Sequence, residues 1–472
     1  MQGITDQSAD GLLTIHRFAV RTIQRAMDEP DQTSYHDSAA MPSLPEVHRT
    51  VGVPTGAAFW RRALAFSGPG FLVAVGYMDP GNWATDIAGG SRFAYTLIFV
   101  LFMSNLMAIL LQALAARLGI VTQLDLAQAC RSYYSRRTSL FLWVLCEIAI
   151  AACDLAEVIG SAIALKLLFH IPLLLGVCLT ALDVLAILYL QHKGFRYLEA
   201  LVVALIGTIG VCYLVEIILV KPNLVEIGKG FIPTPELLTN REMLYIAIGM
   251  LGATVMPHNL YLHSSLVQTR AIARTKEGIR TALRFNLLDY VVALNFAFLI
   301  NAAILIMAAG TFYRHGMNQV AEIQDAYYTL TPLLGTQMAS ILFAIALLCS
   351  GQNSTLTGTL AGQIVMEGFL NLRLAPWLRR LITRLLAIIP AIIAVAFFGQ
   401  SGTAQLLIFS QVILSLQLSF AVFPLVQFTS NRARMGEFVN PLWLKILAWL
   451  VAGTIAILNA YLLVLTVKGW AS

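Results

Sequence analysis

Two short stretches set chemically capable side chains beside a proline in the middle of an apolar run. The first reads Gly76-Tyr77-Met78-Asp79-Pro80-Gly81-Asn82; the second reads Ala253-Thr254-Val255-Met256-Pro257-His258-Asn259. A proline removes a backbone donor and breaks a helix, and Gly81 weakens it further. The breaks free backbone carbonyls, expected at Gly76 and Ala253. Asp79 adds a hard anionic oxygen and Asn82, three residues on, a neutral amide oxygen. Those ligands alone suit many cations, including Na⁺, Mg²⁺ and Ca²⁺. Met256 narrows the choice, because a thioether is a poor ligand for hard ions and acceptable to softer transition metals. The combined set predicts a site for Mn²⁺, Fe²⁺, Co²⁺ or Cd²⁺ that discriminates against Ca²⁺ and Mg²⁺. His258 could be a further ligand or a proton carrier. Histidine titrates near neutral pH, so His258 and His263, five residues apart, also suit a relay.

A second group is acidic. Glu147, Asp154 and Glu157 are spaced by seven and three residues, which puts them on one face of a helix. Three carboxyls facing lipid would be prohibitive, so this face is expected to point inward, where such groups can pass protons. Arg379, Arg380 and Arg384 are candidate partners for these acids, or simply positive charges marking one side of a membrane. Asp86, Asp183, Glu199, Asp289 and Glu367 receive no role.

The elements that must hold these residues are apolar. The chain has 472 residues, 58% hydrophobic and only 12% charged, with a mean hydropathy of +0.75. That excludes a disordered chain, a collagen or a small disulfide scaffold. Six scattered cysteines form no CxxC pair and read as buried thiols. Eleven apolar runs follow a polar amino-terminal tail: 66–88, 96–118, 140–169, 173–190, 198–220, 244–267, 285–309, 333–369, 381–398, 404–428 and 444–467. The eighth is too long for one crossing and is expected to protrude or to break at Gly351 or Gly358. If the tail, residues 1–62, is cytoplasmic, 24 of the 31 basic residues lie in it and in the inner loops. This bias orients the amino terminus inward and the carboxyl terminus outward. The net charge of +6 thus reflects topology and not a nucleic-acid partner.

The two prolines are 177 residues apart, each in the first helix of a five-helix set. An odd number of helices inverts the second set relative to the first. The pattern predicts an all-α integral membrane protein with inverted repeats at about 66–220 and 244–428, an extra helix at 444–467, and a site where discontinuous helices 1 and 6 cross. No HExxH, GxSxG or GxxxxGK[ST] motif points to an enzyme. An amino-acid or organic-cation transporter on the same architecture would want backbone N–H groups and an apolar pocket at the breaks. A metal-gated channel or sensor is the other alternative.

Asp-Pro-Gly-Asn in the first run with Met-Pro-His-Asn in the sixth resembles the Nramp (natural resistance-associated macrophage protein) family. The text from Asp79 to Asp86 looks most like its bacterial manganese-importing branch. The resemblance covers about residues 66–467 and implies a leucine-transporter-type fold, cell-membrane location and proton-coupled import of divalent transition metals. It implies that Asp79, Asn82 and Met256 bind metal through side chains and Gly76 and Ala253 through carbonyls. Family members often have alanine where this chain has Gly76. A glutamine of span 10 can join, for which Gln411 matches best and Gln417 competes. The resemblance places His258 beside the metal and in proton coupling, and implies an acid–arginine path through Asp154, Glu157 and one of the span-9 arginines. Tyr77, Gln112 and Asn301 match supporting polar positions, where interhelical hydrogen bonding explains Gln112 and Asn301 equally well. Magnesium-transporting relatives lack the Met-Pro-His signature. The chain is expected to work as a monomer in the bilayer, with no resident cofactor.

Overall fold

The computed structural model describes residues 42–54, 58–182, 194–318, 320, 322–372, 378, 382, 385–386, 388–393 and 403–471. Most of the expected tail therefore lies outside the described residues. So do most of the ninth run, with Arg379, Arg380 and Arg384, and the second half of the fourth run.

The first run is two helices. After a short amphipathic α1 (Phe59–Phe66) come α2 (Pro69–Gly76) and α3 (Pro80–Phe93), separated by Tyr77, Met78 and Asp79. Then follow α4 (Ile98–Thr122), α5 (Leu126–Tyr133), α6 (Arg136–Phe169), α7 (Leu173–Leu179) and α8 (Phe195–Val220), with α9 (Leu224–Lys229) and α10 (Glu236–Thr239) in a connecting loop. The sixth run is again two helices, α11 (Arg241–Thr254) and α12 (Pro257–Leu266). The remainder comprises α13 (Lys276–Thr311), α14 (Ile323–Leu334), α15 (Gln337–Leu370), α16 (Thr403–Thr429), α17 (Arg432–Met435) and α18 (Leu442–Ala471). Among the described residues eight helical stretches are long and apolar enough to cross a membrane. The broken first run comes in addition.

Burial sorts these helices by role. On α8, Val211, Leu214 and Ile218 form an exposed apolar stripe, while Cys212, Tyr213 and Glu216 are buried on the other side. On α18, Trp443, Ile446, Leu450 and Ile457 are exposed in the same rhythm. Such one-sided apolar exposure fits lipid on the outer face. Helices α3 and α12, by contrast, are enclosed almost throughout.

The eighth run corrects the expectation of a break at Gly351 or Gly358. The helix α15 passes unbroken through both, and the chain instead turns at Gly335, which has φ +69°. Both glycines are close-approach points. A Cβ on Gly351 would strike Ser161, and one on Gly358 would lie 2.9 Å from Asp154 Oδ1 and 3.0 Å from Glu157 Oε1. Small residues let α15 press against α6.

One end of the bundle is tied by polar contacts. Arg270 Nη1 donates to Glu199 Oε1 at 2.7 Å and Nη2 to the Ser67 carbonyl at 2.6 Å. Asp289 Oδ2 accepts from Gly70 N at 2.6 Å. These bonds fix where α2 begins. Residues 42–54 lie as a strap across the same end. Ser43 donates to Asp125, Gln363 Nε2 donates to Glu46 Oε1 at 2.8 Å, and Arg49 N donates to the Gln268 carbonyl at 3.0 Å. Val51–Gly52 (β1) pairs in parallel with Arg270–Ala271 (β2).

Candidate functional site

Each break follows from one missing hydrogen. In an α-helix the carbonyl of residue i accepts from the N–H of residue i+4. For Gly76 that residue is Pro80, and for Ala253 it is Pro257. Neither proline has an N–H, so both carbonyls lose their helical donor. Each proline then starts a new helix at its first position, where its fixed φ is favourable. Asp79 caps α3, its Oδ1 accepting from Asn82 N at 2.8 Å. Met256 holds the equivalent place before α12 with a similar extended backbone.

The freed groups converge. Asn82 Nδ2 lies 2.6 Å from Asp79 Oδ1, 3.2 Å from the Gly76 carbonyl and 3.1 Å from the Ala253 carbonyl. All of these residues are buried. An amide NH₂ has two hydrogens and here faces three oxygens. Among the described side chains, the second Asp79 oxygen meets the distant donors Gln411 Nε2 at 3.5 Å and Cys153 Sγ at 4.0 Å. The centre is thus rich in oxygen acceptors and short of donors, the condition a cation relieves. Rotation of the Asn82 amide would add its Oδ1 to the set.

Sulfur stands at the edge of this centre. Met256 Sδ lies 3.1 Å from the point where a Cβ on Gly76 would sit, and Met256 packs with Ala152, Cys153 and Leu414. The space that Gly76 leaves open is taken up by Met256 and by Asn259 Nδ2. Gly81 does the same for Gln411, whose side chain occupies the space a Cβ there would need. Gln411, not Gln417, is the span-10 glutamine that reaches Asp79.

The supporting residues divide into two directions. Asn301 Nδ2 donates to the Tyr77 carbonyl at 2.6 Å and lies 3.4 Å from Asn82 Oδ1. Gln112 Nε2 donates to the Tyr77 hydroxyl at 3.0 Å, and its Oε1 is 2.9 Å from His263 Nδ1. His258 turns the other way, its Nε2 3.9 Å from Cys153 Sγ. Five residues is 500° of helix, so the two histidines point about 140° apart and do not form one direct relay. Cys153 is itself 3.6 Å from Glu157 Oε1. The thiol therefore sits among Asp79, His258 and Glu157, a position that sequence reading assigned to plain packing. Its spacing of four from Glu157 was the available signal. Asp154 and Glu157 are buried against Gly358 of α15. Glu147, two turns before Asp154 and only partly buried, accepts from Trp143 Nε1 at 2.9 Å.

Comparison with known proteins places the chain in a family. A model of natural resistance-associated macrophage protein-like sequences matches residues 70–465. A protein of a Nostoc species named divalent metal cation transporter MntH is 65% identical over 429 residues, covering 91% of this chain and 97% of the relative. One of the same name from Listeria welshimeri is 60% identical over 445 residues, covering 94% and 99%. The crystal structure of the Eremococcus coleocola manganese transporter, with an aromatic bis-isothiourea compound, superposes with a TM-score of 0.82 at 44% identity, covering 89% of this chain and 90% of that one. A nucleobase-cation-symport-1 family transporter shares the fold alone, with a TM-score of 0.58 at 15% identity. With its two prolines, its mixed donor set and these relatives, the chain belongs to the Nramp family.

Proposed function

We propose that this protein imports divalent transition-metal ions, Mn²⁺ foremost and also Fe²⁺, Co²⁺ and Cd²⁺, together with protons by alternating access. The observation that carries this is the donor-poor centre between the two broken helices, where one carboxylate, one amide and two proline-freed carbonyls meet beside a thioether. Oxygen and sulfur together suit an ion of intermediate softness. The names of the relatives, divalent metal cation and manganese transporters, support the same reading.

In this mechanism the ion comes from outside and sheds water against the Gly76 and Ala253 carbonyls, Asp79, Asn82 and Met256. Gln411 closes over it from α16. The ion competes with the proton on Asp79. That proton passes toward His258 and on to Glu157 and Asp154, with the Cys153 thiol lying between these groups. One of Arg379, Arg380 and Arg384 continues the route inward. Helices α2 and α12 tilt with their neighbours to expose the ion to the cytoplasm. The amino terminus lies on that side, as the basic residues indicate. A monomer contains every donor named.

The test is uptake into proteoliposomes. Mn²⁺ and Cd²⁺ should accumulate saturably, faster with an acidic exterior, and Asp79→Ala should abolish this. Undiminished acid-stimulated uptake by Asp79→Ala would overturn the assignment.

A further inference from the structure

We propose that Asn259 is a positioning residue for the transported ion, fixing the end of α2, and so the Gly76 carbonyl, against α12; this rests on the proposed metal site. The two breaks are alike in sequence. Asn82 lies two residues beyond Pro80, and Asn259 two residues beyond Pro257. Each asparagine reaches across to the other broken helix. Asn82 Nδ2 donates to the Ala253 carbonyl at 3.1 Å, and Asn259 Nδ2 donates to the Val73 carbonyl at 3.4 Å.

The last four carbonyls of α2 show why both are needed. Tyr77 N turns back to the Ala74 carbonyl at 3.1 Å and Met78 N to the Val75 carbonyl at 3.0 Å. This tightening takes Tyr77 N away from the Val73 carbonyl, and Pro80 has no N–H to offer Gly76. Asn82 serves Gly76 at 3.2 Å, and Asn259 serves Val73. The Asn259 amide also lies against the Cα of Gly76, in contact range of where a Cβ would project.

Packing alone does not explain an amide here. Asn259 is fully buried, and its Oδ1 has no hydrogen-bond partner among the described residues. A leucine of similar size would fill the space without burying that acceptor. The donor side is what the position uses. When an ion takes the oxygens, Asn82 must turn its amide and give up its bonds to Gly76 and Ala253. The Asn259–Val73 bond, which ties α2 to α12 directly, is untouched by that turn, and Met256 rides on the same half-helix as Asn259.

The experiment compares Mn²⁺ and Cd²⁺ uptake by proteoliposomes of the parent, Asn259→Leu and Asn259→Ser. In Asn259→Leu the KM for Mn²⁺ should rise about five- to tenfold, the scale of one lost hydrogen bond, with maximal rate little changed. The KM for Cd²⁺, held through Met256 and Asp79, should rise less, so the ratio of the two constants shifts. Asn259→Ser keeps a donor and should fall between parent and leucine; it decides the matter if the leucine variant does not fold. An unchanged Mn²⁺ KM overturns the proposal, and so does an equal loss for both ions with reduced maximal rate, which marks a packing role. If Asp79→Ala also transports normally, the metal-site reading itself has failed; if Asp79→Ala is dead and Asn259 variants are normal, only this inference has.

Discussion

At Asp79 the ratio of hydrogen-bond donors to acceptors decides what can bind. Two amide hydrogens face three oxygens; Asp79 Oδ1 also accepts from Asn82 N, so the two proline-freed carbonyls share the Asn82 amide with a carboxylate. A divalent ion supplies more attraction to those oxygens than the amide can. On the proposed reading, Met256 then decides among ions. Met256→Ala removes the soft donor and keeps every oxygen, so Ca²⁺ and Mg²⁺ should compete more strongly. Cd²⁺ affinity should fall about tenfold or more, the scale of losing one element of a metal site. A competition panel on proteoliposomes checks this; an ion preference equal to the parent's refutes the role of sulfur. That Asp79, Asn82 and Met256 lie at the two breaks was readable in the sequence, because each sits within two residues of a helix-breaking proline. Cys153 was not. Nothing in a sequence says which neighbouring helix a buried thiol will face, and only the packing of α6 brings it to Asp79 and His258.

At the scale of elements, the prolines act as carbonyl-releasing devices. Each stands four residues after a proposed ligand. Pro80→Ala would return an N–H to the Gly76 carbonyl and let α2 and α3 join. Pro80 stands at the first position of α3, where proline is well tolerated, so its replacement should change stability by no more than about 1 kcal/mol. Uptake should nevertheless drop severely, because the carbonyl is then engaged in the helix. Thermal unfolding and uptake measured on the same preparation separate the two effects; retained transport by a stably folded variant would contradict the device. Both breaks were legible because each Pro stands among polar residues in mid-run; Pro424, among apolar ones, leaves α16 continuous. The glycines of α15 were misleading for the opposite reason. A glycine weakens a helix locally, but Gly351 and Gly358 are compensated by contact with Ser161, Asp154 and Glu157 on α6. That compensation is tertiary and leaves no local mark. Asp154 and Glu157 are buried on an inward face, while Glu147 of the same helix is only partly buried.

For the molecule as a whole, the strap of residues 42–54 joins elements distant in sequence. Its Ser43 meets Asp125, which lies between α4 and α5 outside the spanning helices and also caps α5. Burial pushes the Asp125 carboxyl up to about 6 from its ordinary 3.8, with the Ser43 bond opposing. The Ser43 hydroxyl donates to the carboxylate, so this strap contact lowers the Asp125 pKa relative to a released form in which Asp125 stays buried. Attachment through that bond is therefore strongest with Asp125 ionised and weakens as pH falls through about 6. Hydrogen exchange over residues 42–54, corrected for intrinsic rates, should show more protection near pH 7.5 than at about pH 5. Asp125→Asn still caps α5 and should lose this difference. Equal pH dependence in parent and variant would assign the effect elsewhere. The Asn82 amide has a consequence of another kind. Because it already lies among the oxygens of Asp79, Gly76 and Ala253, an arriving ion trades places with a resident donor and does not hold the helices together. Its effect on unfolding should then be mass action alone, about 2.7 kcal/mol at a hundredfold excess over the dissociation constant. Stripping divalent ions with a chelator should lower the thermal transition by that margin and leave helical content intact, as expected of cargo carried by a fold that stands on its own amide.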